Sequence, residues 1–208
     1  MSLEAPRLIL ASSSPRRREL LREAGYAFEI DPADIDEEAV PPGMSPSDVA
    51  RYLAETKAKV VAARHPDDVV LAADTVVTFG EKLLGKPKDA AEAKRMLQLL
   101  SGTTHLVITG VAVMHPAKQF TRITRVMSAV RMRMLSAAEI DRYVASNEWQ
   151  GKAGGYGIQD VDQFPADHPA STPFITRQAG SKTNIVGLPM TVTKQLLSEA
   201  GIKPERTQ

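Results

Sequence analysis

No cysteine occurs in the 208 residues. Disulfides, thiol catalysis and Cys-rich zinc sites are therefore excluded, and a reducing compartment is the natural setting. Aromatic residues make up only 5%, with Trp149 the single tryptophan, and the net charge is only +1. Both features weigh against a DNA-binding module or a stable nucleic-acid partner. A chain so nearly neutral does not coat a membrane either, so any electropositive site has to be local. No apolar run approaches the ~18 residues of a bilayer span. The stretch Leu8-Ile9-Leu10-Ala11, preceded by Glu4, is too brief for the core of a signal peptide. A cytoplasmic location is expected. The four histidines, at 65, 105, 115 and 168, show no spacing for a shared metal. No Gly-x-Ser-x-Gly elbow exists, which speaks against a serine hydrolase.

What remains is ordinary globular composition, 43% apolar and 25% charged. One domain over residues 1–208 accommodates it. Arg7 to Ala11 reads as a short strand. Ser14 then reads as an N-cap, with Pro15 in the first turn of a helix that stops at Gly25. A second strand is expected over Ala27 to Ile30, an acidic, proline-rich loop over Asp31 to Ser45, and a long helix from Ser45 to Arg64. Val69 to Phe79 has the pattern of a strand covered on both faces. A helix over Asp89 to Leu100 precedes two long strands, His105 to Met114 and Phe120 to Met134, turning at His115 to Lys118. Ser136, with Glu139 at capping-box spacing, opens another helix ending near Ser146. Trp149 to Gly157 holds four glycines and reads as loop or tight strand entry. Val161 to Pro173 reads as an exposed excursion. A last helix starts at Leu188-Pro189 and stops at Gly201. Strands and helices in this order predict an α/β fold with a mixed sheet.

Residues that break local preference are the best functional candidates in a lone sequence. Arg16, Arg17 and Arg18 occupy the first turn of the first predicted helix. The helix dipole disfavours each cation there by roughly 0.3–1 kcal/mol. With Ser12 to Ser14 beside them, they form either an anion site suited to phosphate or a solvated basic face. Asp74 sits inside an apolar strand, where a carboxylate needs a metal, a cation or hydrogen bonds. It is placed either for a metal or general-base role, or for bonding backbone at a strand bend. Lys57 falls at the margin of a helix face built from Val49, Leu53 and Val60. It either snorkels or reaches toward the same anion. Gly80 to Lys86 has P-loop spacing, but Pro87 replaces the magnesium-binding Ser or Thr, and a hairpin is expected instead. Lys86, fixed between Gly85 and Pro87, remains a candidate phosphate contact.

Taken in order, these segments resemble the Maf family. Leu10 to Leu21 looks like its opening signature, and Leu53-Ala54-Glu55-Thr56-Lys57-Ala58 its helix motif. Ala73-Asp74-Thr75-Val76-Val77 looks like its central strand, and Gly85-Lys86-Pro87 its lysine loop. Leu100 to His105, Lys152 to Gln159 and Asn184 to Pro189 follow at the right intervals. The likeness covers roughly residues 7 to 200. It implies an elongated two-lobed fold related to inosine triphosphate pyrophosphatases: a mixed β-sheet with flanking helices and a central cleft. It also implies hydrolysis of nucleoside triphosphates to monophosphate and pyrophosphate, assisted by Mg²⁺ or Mn²⁺, in a homodimer. Asp74 matches the catalytic carboxylate. Glu37 falls at an acidic catalytic or metal position, with Asp36 and Glu38 as neighbours to which that role could shift. Ser12, Arg16, Arg17, Lys57 and Lys86 match triphosphate contacts.

Gln159 resembles the branch preferring dTTP and UTP, and its amide can donate and accept against a pyrimidine edge. Arg16 and Thr75 would help set that preference. Ser181 to Asn184 and a longer stretch from Asp160 to Gly180 depart from the family pattern, at what would be the cleft rim. Two alternatives stay open. One is a broader housecleaning pyrophosphatase acting on modified nucleotides. The other is a non-catalytic nucleotide-binding regulator of cell division.

Overall fold

The computed structural model describes residues 6–158 and 173–205. Its elements alternate as an α/β chain. Strand β1 (Leu8–Leu10) leads to helix α1 (Pro15–Glu23), then β2 (Glu29–Ile30) and α2 (Pro46–Ala62). Next come β3 (Val69–Phe79), β4 (Lys82–Leu84), α3 (Ala90–Leu100), β5 (Thr104–His115) and β6 (Phe120–Met132). Helix α4 (Ala137–Ala145), β7 (Ile175–Ala179), the short α5 (Lys182–Val186) and α6 (Met190–Glu199) complete it. The seven-stranded sheet is ordered β2-β1-β3-β5-β6-β7, with β4 pairing β3. β1 pairs in parallel with both β2 and β3, whereas β3–β4 and β6–β7 are antiparallel. The sheet is thus mixed and flanked by helices, as the sequence predicts. Among the described residues no helix is long and apolar enough to cross a membrane.

The chain divides into two compact units. The first comprises residues 1–74, 109–126 and 187–208; the second comprises 75–108 and 127–186. In the first, Leu71 and Ala73 of β3 pack with Leu21, Val111, Leu188 and Leu197. Val70 and Ala72 point to the other face and pack with Ala54, Ala58 and Val61 of α2. That alternation is what a strand buried on both faces requires. In the second unit, Val77, Val107, Val130 and Met132 pack with Leu97 and Leu100 of α3 and with Tyr143 of α4.

Side-chain caps close three helices, at Ser45 and Ser136 as expected and at Asp89 in addition. Ser45 accepts from the Asp48 amide, Asp89 from the Glu92 amide, and Ser136 and Glu139 form a complete capping box. Ser14 holds the N-cap position of α1, yet its side chain makes no capping bond. Gly80 to Lys86 forms the β3–β4 hairpin, pairing Val77 with Leu84 and Phe79 with Lys82. Two expectations need correction. The strand β7 and helix α5 were not foreseen. His115, expected in the turn, ends β5 and is 2% exposed, so the strand runs to the proline that stops its ladder. The predicted excursion at residues 161–173 falls almost wholly outside the described residues.

Candidate active site

The parallel strands of the first unit bring the site together. Leu10 of β1 pairs with Leu71 of β3, and the Ala11 amide donates to the Leu71 carbonyl at 2.8 Å. Beyond that pair the chain leaves β1 through Ser12 into α1, while β3 continues to Asp74. Ser12 therefore lies just past the C-terminal end of β1, and Asp74 on the stretch of the adjacent parallel strand β3 that runs on beyond it. β1 also lies between β2 and β3, so strand order reverses at this point. That is where open α/β sheets gather ligand-binding groups.

Asp74 shares its side of β3 with Val70 and Ala72, the side covered by α2, and is 6% exposed. Lys57 comes from that helix. Its Nζ donates to Asp74 Oδ1 at 2.5 Å and to Glu37 Oε1 at 2.7 Å. The buried stripe of α2 consists of Val49, Ala50, Leu53, Ala54, Lys57, Ala58, Val61 and Ala62. Lys57 thus sits inside the stripe, 7% exposed, and not at its margin. The alanines mark the core-facing side, and Val60, which the sequence reading used, does not belong to it. Alanine also lets α2 come close to the sheet. A Cβ added to Gly110 of β5 would lie 2.1 Å from the Ala50 carbonyl oxygen.

Glu37 projects from the acidic loop before α2 and is more open, with 38% of its side chain exposed. Of its neighbours, Asp36 accepts from the Glu38 amide at 2.9 Å. Glu37 is the acid that reaches Lys57.

The N-terminus of α1 supplies the positive side. Ser12 Oγ, 7% exposed, accepts from the Ser14 amide at 3.3 Å and from Arg17 Nη1 at 3.0 Å. Arg17 Nε donates to the Gly187 carbonyl at 2.8 Å. The guanidinium is locked at both ends, which a lysine could not reproduce. Burial holds the Arg17 pKa below the usual arginine range. The fields of Asp74 and Glu37 oppose that shift, and Arg16 adds to it. The group stays cationic at neutral pH. It also lies within electrostatic reach of both carboxylates. Arg18 Nε is buried without a hydrogen-bond partner among the described residues. Arg17 and Lys57 thus lie beside two carboxylates, and Arg16, near enough to act on Arg17, adds a third positive charge, a balance suited to a polyanion.

Thr75 and Lys86 belong to the second unit, where Thr75 follows Asp74 along β3 and Lys86 is exposed after β4. Gln159 lies outside the described residues. The Gly187 carbonyl is a contact the sequence reading missed. Its only signal was the Asn184 to Pro189 motif, which carries no side chain at that atom.

Two carboxylates meeting at one ammonium are hard oxygen donors, the set that Mg²⁺ or Mn²⁺ takes alongside water and phosphate oxygens. Among the described residues no group of three or more His, Asp or Glu gathers as a dedicated cage. Glu37 and Asp74 accordingly fit an ion that is completed by substrate.

The family model described as Maf-like protein matches residues 7–200. A protein named dTTP/UTP pyrophosphatase from Cereibacter sphaeroides is 48% identical, covering 94% of this chain and 95% of that one. Its namesake from Caulobacter vibrioides is 46% identical, covering 96% and 98% respectively. Among solved structures, a HAM1 protein from Coxiella burnetii is 19% identical, covering 62% of this chain and 73% of that one, with a TM-score of 0.42.

Proposed function

We propose, because this chain belongs to the Maf family, that it hydrolyses nucleoside triphosphates, dTTP and UTP foremost, to the monophosphate and pyrophosphate. The observation that carries the proposal is the Lys57 ammonium held between Asp74 and Glu37, with the twice-anchored Arg17 beside them. The names of relatives at 43–48% identity support the choice of dTTP and UTP.

In this reaction a water oxygen bonds to the α-phosphorus as the bridge to the β-phosphate breaks. The water proton passes to the Asp74 carboxylate, and the electron pair of the broken bond leaves on pyrophosphate. Lys57 fixes the rotamer of Asp74 and aims it. Arg16, Arg17, Ser12 and the uncapped amides of α1 receive phosphate oxygens, with Lys86 as a further cation. Cations arranged before the reaction stabilise charge on the leaving group without reorganising. Glu37 and Asp74 would hold a divalent ion, Mg²⁺ or Mn²⁺, which supplies electrostatic stabilisation of phosphoryl oxygens. Gln159, Thr75 and Arg16 are the proposed base-discriminating residues. The proposal also takes from the family likeness a homodimer working in the cytoplasm.

Purified protein should release pyrophosphate from dTTP and UTP, and Asp74→Asn should abolish release while keeping the native circular dichroism spectrum. Near-native turnover by that variant would refute the role given to Asp74. Comparable rates on dTTP, UTP, CTP, 7-methyl-GTP and ITP would favour the broader housecleaning reading.

A further inference from the structure

We propose that Tyr156, tied to His105, is a positioning residue for Lys86 through the glycine turn between them, an inference that rests on the triphosphate reading above. All the groups concerned belong to the second unit. Lys86 is an exposed side chain on an irregular segment after β4. Both of its chain neighbours are held from outside. The Gly154 amide donates to the Gly85 carbonyl at 2.9 Å. Gly155 lies against Pro87, where an added Cβ would sit 3.7 Å from Pro87 Cγ and 3.6 Å from the Ala93 backbone.

The turn can come this close because it carries no side chains there. Gly154 has φ +72°, and a Cβ on it would meet three carbons of the Val77 side chain at 3.1 Å. Two consecutive left-handed residues cost glycine little and other residues considerably more. They also leave the turn without a side-chain anchor of its own, a role that falls to the next residue. Tyr156 is 6% exposed, and its hydroxyl meets His105 Nε2 at 2.5 Å, the two rings standing edge to face at 85°.

His105 is 2% exposed in β5, and burial holds its pKa down to about 4. Burial likewise pushes the Tyr156 phenol well above its ordinary range. Both are neutral at physiological pH, so the contact is a neutral hydrogen bond between the phenol and Nε2 whose direction follows the imidazole tautomer. The other ring nitrogen, Nδ1, is buried without a hydrogen-bond partner among the described residues. A buried polar atom left unpaired is costly. Keeping it while directing Nε2 at Tyr156 marks this bond as the one the arrangement serves. The path runs from β5 through His105, Tyr156 and Gly155-Gly154 to the backbone on both sides of Lys86.

The test is a cycle of Tyr156→Phe and Lys86→Met, reading kcat and KM for pyrophosphate release from dTTP with Mg²⁺. Tyr156→Phe removes only the hydroxyl. It should lower kcat/KM by about tenfold, a loss smaller than the roughly hundredfold that a full ångström of misplacement can cost, because the backbone contacts of the turn remain. In the Lys86→Met background the same change should cost almost nothing, because the group it positions is gone. A merely structural role would give the same fold loss in both backgrounds, and that result overturns the proposal. So does a Tyr156→Phe enzyme with native kcat/KM, or a Lys86→Met enzyme with native turnover. His105→Gln, which keeps a hydrogen-bonding atom near the Nε2 position, should stay near native, whereas His105→Leu should match Tyr156→Phe. Equal losses in the two His105 variants would also overturn the assignment. Failure of the broader reading shows separately, as undiminished turnover by Asp74→Asn.

Discussion

Replacing Lys57 with methionine keeps most of the side-chain volume and removes the charge. Lys57 and Asp74 have 9% and 8% of their side chains exposed, so their contact is a buried ion pair. Removing one partner of such a pair costs about 3–5 kcal/mol, because the remaining charge stays buried and unpaired. The Glu37 arm adds little, since Glu37 is 38% exposed and water screens it; an exposed pair contributes at most about 1 kcal/mol. The expected loss is therefore about 3–5 kcal/mol, nearly all from Asp74. Urea denaturation followed by circular dichroism measures it. With a slope near the upper end of the range of ~1–3 kcal/mol per M, the midpoint should fall by about 1–2 M. Adding Asp74→Asn to Lys57→Met removes the stranded carboxylate and should restore more than half of that loss. A single variant within about 1 kcal/mol of the parent would refute the buried-pair argument. A double variant no more stable than the single would refute the assignment of the penalty to Asp74.

Gly110→Ala places a methyl group 2.1 Å from the Ala50 carbonyl oxygen, against backbone that cannot rotate away. Overpacking of this kind costs about 1–3 kcal/mol or more. At about 2–4 °C per kcal/mol for a chain of this size, Tm should drop by roughly 5–10 °C. An unchanged Tm in a thermal melt would show that α2 is free to move outward. Acid stability should depend on Glu139. The hydrogen bond from Arg133 holds its carboxyl at about 2 against an ordinary 4.5, with burial opposing and the Ser136 amide and hydroxyl assisting. Because the folded value is the lower one, this contribution is complete above pH 4.5 and is lost as pH falls toward 2. Glu139→Gln should flatten that stretch of the Tm-against-pH curve, and an unaltered curve would contradict the assignment.

The features legible in the sequence were those with local causes. The caps at Ser45 and Ser136 announce their helices because a side-chain oxygen three residues from a free amide is a local event. The strand Val69–Phe79 was read to the residue because burial on both faces leaves a continuous apolar run. Asp74 stood out for the same reason, as a charge where the pattern admits none. Lys57 was harder. Its helix buries alanines, which carry little hydrophobic signal, so a wheel weighted toward valine and leucine tilts the apparent face away from the sheet. β7 is exposed along nearly its whole length and lacks the alternation that betrays a half-buried strand. The Arg17–Gly187 contact spans 170 residues and ends on a backbone oxygen, so no residue type in the sequence could announce it.

That long-range contact has a bearing on how the protein is made. Synthesis proceeds from the N-terminus, so Ser12 and Arg17 leave the ribosome long before the carbonyl that orients the guanidinium exists. Until the ribosome has added those further 170 residues, the nascent chain carries loose arginines and no finished cradle. A truncated translation product ending before Gly187 would keep every strand and helix described above except α6, and on the proposed reading would still hold nucleotide poorly.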